Sequence, residues 1–259
     1  QRFTADGDLV AAWGSRGAGP GQLERPWDVA IAPDGTVFVV ERDNHRVQSF
    51  APDGTPLGSI GARGRGPGEL FYPYGLALAP DGTVWVADTR NDRVQHFAAD
   101  GTSLGTWGET GVAPGRLVAP DALAVAPDGS VMVADYGNHR LQRFTPDGRL
   151  LAVLQAPPSN GGDFAAALGV TVAPDGSVWV ADTGHDRVQH FDAALRFLGM
   201  WGGWDVADAA SLYEPVGVAA SADGDVYVTS QRHQRLKRFG PDGTVRWQVG
   251  GIGGALGQF

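Results

Sequence analysis

Apolar and polar residues alternate along this chain in short runs, and each run ends in a turn signal. Between Pro73 and Gly115 the runs read GLALAPDG, TVWVAD, DRVQHFAADG and TSLGTWG. Alternation with a period of two over such lengths predicts β-strands, and the Gly and Pro between them predict tight connections. The arrangement recurs. An aromatic that follows a basic or polar pair stands at Phe3, Phe50, Phe97, Phe144, Phe191 and Phe239, in steps of 47, 47, 47, 47 and 48. A second series, Trp13, Ile60, Trp107, Leu154, Trp201 and Val249, keeps the same steps, so one residue is inserted between Trp201 and Leu212. The chain is a tandem repeat of 47 residues, and the fold must be read from the repeat.

Each period carries two hairpin signals. After the first strand stand Pro33-Asp34-Gly35, Pro80-Asp81-Gly82, Pro127-Asp128-Gly129 and Pro174-Asp175-Gly176. Between the third and fourth strands stand Pro52-Asp53-Gly54, Pro146-Asp147-Gly148 and Pro241-Asp242-Gly243, with Ala99-Asp100-Gly101 a near match. Proline pre-sets the second turn position and glycine takes the positive-φ one. Only the fourth full copy breaks the second signal, with Ala193-Ala194-Leu195. A four-stranded antiparallel sheet of this size has two apolar faces and closes no core alone, so neighbouring copies must cover it. Stacking such sheets about an axis gives an all-β fold, the β-propeller of four-stranded antiparallel blades. Trp13, Trp107 and Trp201, with Trp85 and Trp179 on second strands, are then packing between blades. The departures at Ala156 to Ala167 and at Gly202 to Ser211 are expected to be irregular loops.

Composition narrows the function classes. With 259 residues the chain suffices for one large domain, and 42% apolar residues supply a core despite 39 Gly and 17 Pro. Twenty Lys plus Arg against 29 Asp plus Glu give a net charge of −9, which argues against non-specific nucleic-acid binding and against an anionic membrane surface. No apolar run approaches the roughly 18 residues of a membrane span, so no membrane insertion of this segment is expected. With no cysteine there are no disulfides, thiolate metal sites or thiol nucleophiles, and the redox compartment stays open. Lys237 is the only lysine, the usage of a GC-rich bacterial genome. The cell location is not readable; an extracytoplasmic domain of a larger bacterial protein is the setting considered.

The segments VERDNHRVQSF (Val40 to Phe50), VADYGNHRLQRF (Val133 to Phe144) and VADTGHDRVQHF (Val180 to Phe191) closely resemble NHL repeats, as does the spacing of Asp88, Asn91 and Arg93. The resemblance covers essentially the whole chain, and the fifth copy, with Ser230, His233 and Arg235, departs most. It implies a six-bladed propeller acting as a ligand or partner platform, with lyases and lactonases among related propellers. Residues 1–21 would then be the outer half of a split blade, followed by repeats at 22–68, 69–115, 116–162, 163–210 and 211–257, giving five complete blades and one half-blade. Six periods of 47 plus the inserted residue make 283, which is 24 more than the chain has, so the first and second strands of the split blade are expected to be missing. Four acid and arginine pairs recur, Glu41 with Arg46, Asp88 with Arg93, Asp135 with Arg140 and Asp182 with Arg187. An active site is normally built once, so these are read as braces for the loop between two strands.

The metal question turns on the innermost strands, DVAIA, GLALA, ALAVA, GVTVA and GVAAS, which hold no His or Glu. Asp28 is their one acid and Asp121 stands beside another, so no metal, cofactor or catalytic residue is expected. His45 with His139, and His96 with His190, fall on third strands or their loops, far apart around a ring. The loop face remains. The positions leading into the first strands, Trp27, Asp28, Tyr74 and Asp121, with Arg42, Arg90 and Tyr136 from neighbouring loops, mix aromatics with both charges. That composition suits a peptide, a carbohydrate or another protein. The expected function is a non-enzymatic binding scaffold; a propeller lyase or lactonase is the alternative, and RNA binding the second, weakened by Glu24, Glu41, Asp43, Glu69 and Asp88 among the arginines of the first two repeats.

Overall fold

The computed structural model describes residues 1–154, 163–203, 210–253 and 257–258. Two short sheets come first: β1 (Arg2–Phe3) pairs antiparallel with β2 (Leu9–Ala11), and β3 (Ser15–Arg16) pairs parallel with β4 (Gln22–Leu23). Five four-stranded sheets follow, each with its strands in chain order. They are β5 to β8 (Pro26–Ile31, Val37–Glu41, Arg46–Phe50, Pro56–Ile60), β9 to β12 (Leu76–Leu78, Val84–Asp88, Arg93–Phe97, Ser103–Trp107) and β13 to β16 (Pro120–Val125, Val131–Asp135, Arg140–Phe144, Leu150–Leu154). The last two are β17 to β20 (Ala167–Val172, Val178–Asp182, Arg187–Phe191, Phe197–Gly202) and β21 to β24 (Pro215–Ala220, Val226–Ser230, Arg235–Phe239, Val245–Gly250). This is an all-β propeller of four-stranded antiparallel blades. Of the irregular loops expected at Ala156 to Ala167 and Gly202 to Ser211, residues 156–162 and 204–209 lie outside the described residues, while Ala167 opens β17 and Gly202 closes β20. No helix among the described residues is long and apolar enough to cross a membrane.

The repeat seen in sequence is a repeat of register. Val37 pairs with Phe50, Val84 with Phe97, Val178 with Phe191 and Val226 with Phe239. Phe50, Phe97, Phe144, Phe191 and Phe239 are all fully buried, which is why an aromatic returns at that spacing. The chain divides into two compact units. One comprises Trp13–Asn138 and Gln142–Val153; the other comprises Gln1–Ala12, His139–Leu141 and Leu154–Phe259. Within the first, Phe38, Val40 and Val47 pack on Leu76, Val84 and Val86, while Trp85, Ala87 and Val94 pack on Leu123, Val131 and Val133. Within the second, Trp179 and Val188 meet Val226, Val228 and Phe239. Within each unit, neighbouring sheets thus bury apolar faces against one another, as four strands alone could not.

Tryptophans fill these seams. The Trp107 ring lies 4.7 Å from Phe144 and Trp201 lies 5.9 Å from Phe239. The hairpin glycine of the following copy is part of the seam: a Cβ at Gly148 would come within 2.5 Å of Trp107, one at Gly54 within 2.6 Å of Trp13, and one at Gly243 within 2.8 Å of Trp201. Gly7, in the β1–β2 connection, meets Val249 in the same way, at 2.8 Å. There the Ala5 carbonyl accepts from Trp247 Nε1 at 2.7 Å and from Arg238 at 2.9 Å.

Where glycine is missing from this turn, Leu195 adopts its left-handed backbone at φ 62°, with its N–H donating to the Asp192 carbonyl at 2.8 Å. A side chain in that region costs about 1–2 kcal/mol. Leu195→Gly is therefore expected to raise stability by about 1 kcal/mol, measured as a higher Tm with an unchanged circular-dichroism spectrum.

Candidate functional site

The recurrent acids are the first feature to place. Asp88 is fully buried, and its carboxylate accepts from Phe71 N at 2.7 Å, Asn91 Nδ2 at 2.8 Å, Arg93 Nε at 2.7 Å and Gln95 Nε2 at 3.0 Å. Glu41 is bound in the same way by Glu24 N, Asn44, Arg46 and Gln48, and Asp182 by Ala165 N, His185, Arg187 and Gln189. Arg93 also donates to the carbonyls of Gly66 and Glu69, so the network ties the loop leading into a sheet to that sheet's second and third strands. These acids have spent their lone pairs on the scaffold and present no free base. The glutamines at 48, 95, 142 and 189 and the asparagines at 44, 91 and 138 are working members of the brace. The sequence reading passed over these glutamines although they recur in steps of 47. In the fifth copy Ser230 replaces the acid and accepts from Tyr213 N at 3.1 Å, while the buried Lys237 donates to the Ser211 carbonyl at 2.6 Å.

A second cluster is built once, inside the first unit. Trp27 on β5 and Tyr74, just ahead of β9, stand at the same position of successive repeats, and their rings approach to 4.6 Å. The Arg42 guanidinium, from the turn after β6, sits 5.9 Å from Trp27, 5.7 Å from Tyr74 and 5.8 Å from Tyr72. Asp43 pairs with it at 2.8 Å, and its backbone N–H is anchored on the Arg25 carbonyl. Trp27 keeps 38% of its surface exposed, so the cluster offers an aromatic face to solvent with a fixed cation beside it.

Below these rings lie two carboxylates. Asp28 accepts from Val29 N at 2.8 Å and, across to the next sheet, from Leu76 N at 3.0 Å. Asp121 stands one repeat beyond Tyr74, and its Oδ2 is buried with no hydrogen-bond partner. Gly75 permits the approach of these strands, since a Cβ there would lie 2.5 Å from the Asp121 carbonyl oxygen. Burial pushes Asp28 up to about 6, against its two backbone hydrogen bonds. Burial and then the charge of Asp28 push Asp121 up to about 8, opposed by the neighbouring Trp27 side chain. Asp28 retains some solvent access and Asp121 almost none, which is the order of the two shifts.

Of the residues expected at this face, the structure brings Trp27, Asp28, Arg42, Tyr74 and Asp121 together. Arg90 stands to one side, exposed, with its N–H on the Phe71 carbonyl at 3.1 Å. Tyr136, 40% exposed, occupies in the third sheet the repeat position of Arg42. Tyr72, Phe71 and His45 were not foreseen. His45 Nδ1 accepts from Tyr72 N at 2.9 Å, and burial together with Arg63 holds its pKa below the usual histidine value, so it serves as a neutral acceptor.

This cluster does not suit a divalent ion. Both oxygens of Asp28 hold backbone N–H groups, and no group of three or more His, Cys, Asp or Glu converges among the described residues. Elemental analysis is expected to find no stoichiometric Zn or Ca; one tightly bound ion per chain, lost on mutation of Asp28 and Asp121, would contradict this.

The comparisons with known proteins agree with this architecture. The NHL repeat model matches residues 23–50 and 164–191, and the SMP-30/gluconolactonase/LRE-like region model matches 72–164. Among solved structures, the chain is similar to a catalytically inactive virginiamycin B lyase from Staphylococcus aureus with quinupristin, at 16% identity and TM-score 0.64, covering 90% of this chain and 70% of that one. It is similar to a chain of a nidogen/laminin complex at 16% identity and TM-score 0.67, covering 85% and 78%. A Bacteroides caccae protein of unknown function matches at 16% identity and TM-score 0.65, over 88% and 83%. These likenesses are of fold. With the repeats, the buried braces and the blades together, the chain belongs to the NHL-repeat β-propeller family.

Proposed function

We propose that this chain is a non-enzymatic binding domain that takes a protein, peptide or carbohydrate on the loop face carrying Trp27, Asp28, Arg42, Tyr74, Arg90, Asp121 and Tyr136. The observation that carries the reading is the Trp27–Arg42–Tyr74 cluster. The fold does not require it, because the same repeat position is held by Asp121, Leu168 and Val216 in the other blades. Partly exposed aromatics beside a fixed arginine are the composition of binding hot spots. The nidogen/laminin structure supports the wider idea that such a propeller can serve in a protein complex. The rival, a lyase or lactonase, draws on the virginiamycin B lyase fold and on the match at 72–164. It needs a convergent set of ligating or basic side chains, and the acids in hand are either braced or, at 28 and 121, a carboxylate pair that no third His, Cys, Asp or Glu joins among the described residues. A panel of peptides and oligosaccharides titrated against the protein tests the proposal. At least one binder, weakened tenfold or more by Trp27→Ala with Tyr74→Ala while the Tm falls by no more than a few degrees, is expected. Turnover of a lactone or of a streptogramin would favour the rival.

We further propose that β1–β2 is the outer half of a sixth blade. Two observations support this. Gly7 contacts Val249 as Gly54 contacts Trp13. On β5, Val29 is 57% and Ile31 68% exposed, whereas Leu76, Leu123 and Val170, at the repeat position of Val29, are 4%, 3% and 7% exposed. A crystal structure with β1–β2 hydrogen-bonded onto a four-stranded sheet as extra strands would refute it.

A further inference from the structure

Beside the aromatic cluster lies a patch of arginines with a different character. Most arginines of this chain are matched: Arg16 with Glu24, Arg42 with Asp43, Arg116 with Glu109, Arg196 with Asp192, Arg232 with Glu214 and Arg238 with Asp225. Arg63, Arg65 and Arg90 are exposed and have no ion-pair partner among the described residues. Arg63 and Arg65 converge on one ring. The guanidiniums of Arg63 and Arg65 each lie 5.8 Å from the Phe71 centroid, and the Arg90 backbone bonds the Phe71 carbonyl. Phe71 is continuous with the cluster already described, through Tyr72 at 4.9 Å and Tyr72's contact with Arg42.

The scaffold gives no reason for this group. At the same repeat positions, Arg63 and Arg65 are replaced by Thr110 and Val112, Arg90 by Gly137 and Gly184, and Phe71 by Val118 and Ala165. The sheets containing those residues form the same four-stranded ladder. The acids that sequence alone sets among these arginines form no ion pair with the three guanidiniums among the described residues. Asp88 is fully buried in its brace, and the Glu69 carboxylate accepts from the backbone N–H groups of Arg65 and Gly66, at 2.9 and 2.8 Å. His45, which stacks on Phe71 at 5.4 Å, is held neutral. Two unmatched cations over a partly exposed ring, with a third, Arg90, anchored by its backbone to the same residue, form a local exception on a chain of net charge −9. At physiological ionic strength such a patch acts over about 8–10 Å, so the remote negative charge does not cancel it.

We propose that Arg63, Arg65, Arg90 and Phe71 receive an acidic peptide segment of a protein partner, with its carboxylates on the guanidiniums and an apolar side chain over the ring. The inference rests on the reading of this face as the binding face and adds the chemistry of the partner. Guanidinium forks bind carboxylates in two-pronged, charge-assisted pairs, and Phe71 supplies the apolar contact that an inorganic anion would not use. A short acidic segment fits better than a nucleic acid. The patch has three cations and is bordered by Asp43 and the exposed Glu69, and a long polyanion would be repelled by the chain's net negative charge.

The test is fluorescence anisotropy with a labelled peptide of alternating Glu and Leu, its Lys-and-Leu counterpart, and a single-stranded oligonucleotide of matched charge. The expected result is binding of the acidic peptide alone, weakened at least tenfold in the Arg63→Ala, Arg65→Ala, Arg90→Ala triple variant, with a shallower salt dependence and an unchanged Tm. Failure of the acidic peptide to bind, equal affinity in the triple variant, or tighter binding of the oligonucleotide would each overturn the inference. If another ligand binds through Trp27 and Tyr74 while the triple variant leaves it untouched and the acidic peptide does not bind, the binding-face reading stands and this inference falls.

Discussion

Replacing Asp88 by Asn is expected to cost about 3–5 kcal/mol, whereas the same change at Asp121 is expected to stabilise the protein at neutral pH and above. Both carboxylates are buried, and their surroundings give the effects opposite signs. Asp88 answers a backbone N–H, an asparagine, an arginine and a glutamine, so Asn leaves the Arg93 guanidinium without its counter-charge. Asp121 is buried with one oxygen lacking a partner, and burial first and the Asp28 charge second push it up to about 8. A folded value above the unfolded value of about 3.9 means that this group's contribution is whole below about pH 4. It drains away as the pH rises toward 8, because the native state must then either hold a proton that the unfolded chain releases or bury a second charge. Asparagine does not titrate. Asp121→Asn should therefore match the parent near pH 4 and exceed it by on the order of 3 kcal/mol at pH 8. Urea unfolding of parent and variant across that range gives the difference directly, free of the opposite trend from His45, His96, His190 and His233, whose lowered values weaken the fold as the pH falls below their unfolded pKa. A parent and variant with parallel pH profiles would remove Asp121 from the account.

Truncating the seam tryptophans should be the other large effect. Trp107→Ala or Trp201→Ala removes an indole packed on Phe144 or Phe239 and on a hairpin glycine that leaves no room for rearrangement, at about 3–5 kcal/mol each. Trp27→Ala, Tyr74→Ala and Tyr136→Ala remove partly exposed rings at the loop face and should cost about 1 kcal/mol or less. Thermal unfolding of the five variants separates the groups, and comparable losses in both would contradict the division between scaffold and site.

The period of 47 made the strands, both hairpins and the buried phenylalanines legible, because each is a local requirement restated in every copy. The loop-face residues were legible for the converse reason: Trp27, Tyr74 and Asp121 break the pattern at one shared position. What stayed hidden depends on contacts between copies. The coupling of Asp28 to Asp121 runs past Gly75, which in sequence is one small residue among many. The charge of the first two repeats looked balanced because sequence counts Glu41 and Asp88 as surface acids, whereas both are internal. Removing them from the surface leaves Arg63, Arg65 and Arg90 unmatched, a result that no count of charges could supply.

The central claim is that binding occurs on the loop face of the first two sheets, and backbone amide shifts in the complex with any ligand found test it most directly. At the far end of those sheets a groove of about 550 Å³, lined by Asp34, Asp81 and Asp100 among others, offers the competing location. Perturbations confined to Trp27, Arg42, Phe71, Tyr72, Tyr74, Arg90 and Asp121, with the hairpins at Asp34, Asp81 and Asp100 unmoved, are the predicted result. Perturbations centred on those three aspartates, with the Trp27 indole unchanged, would contradict it.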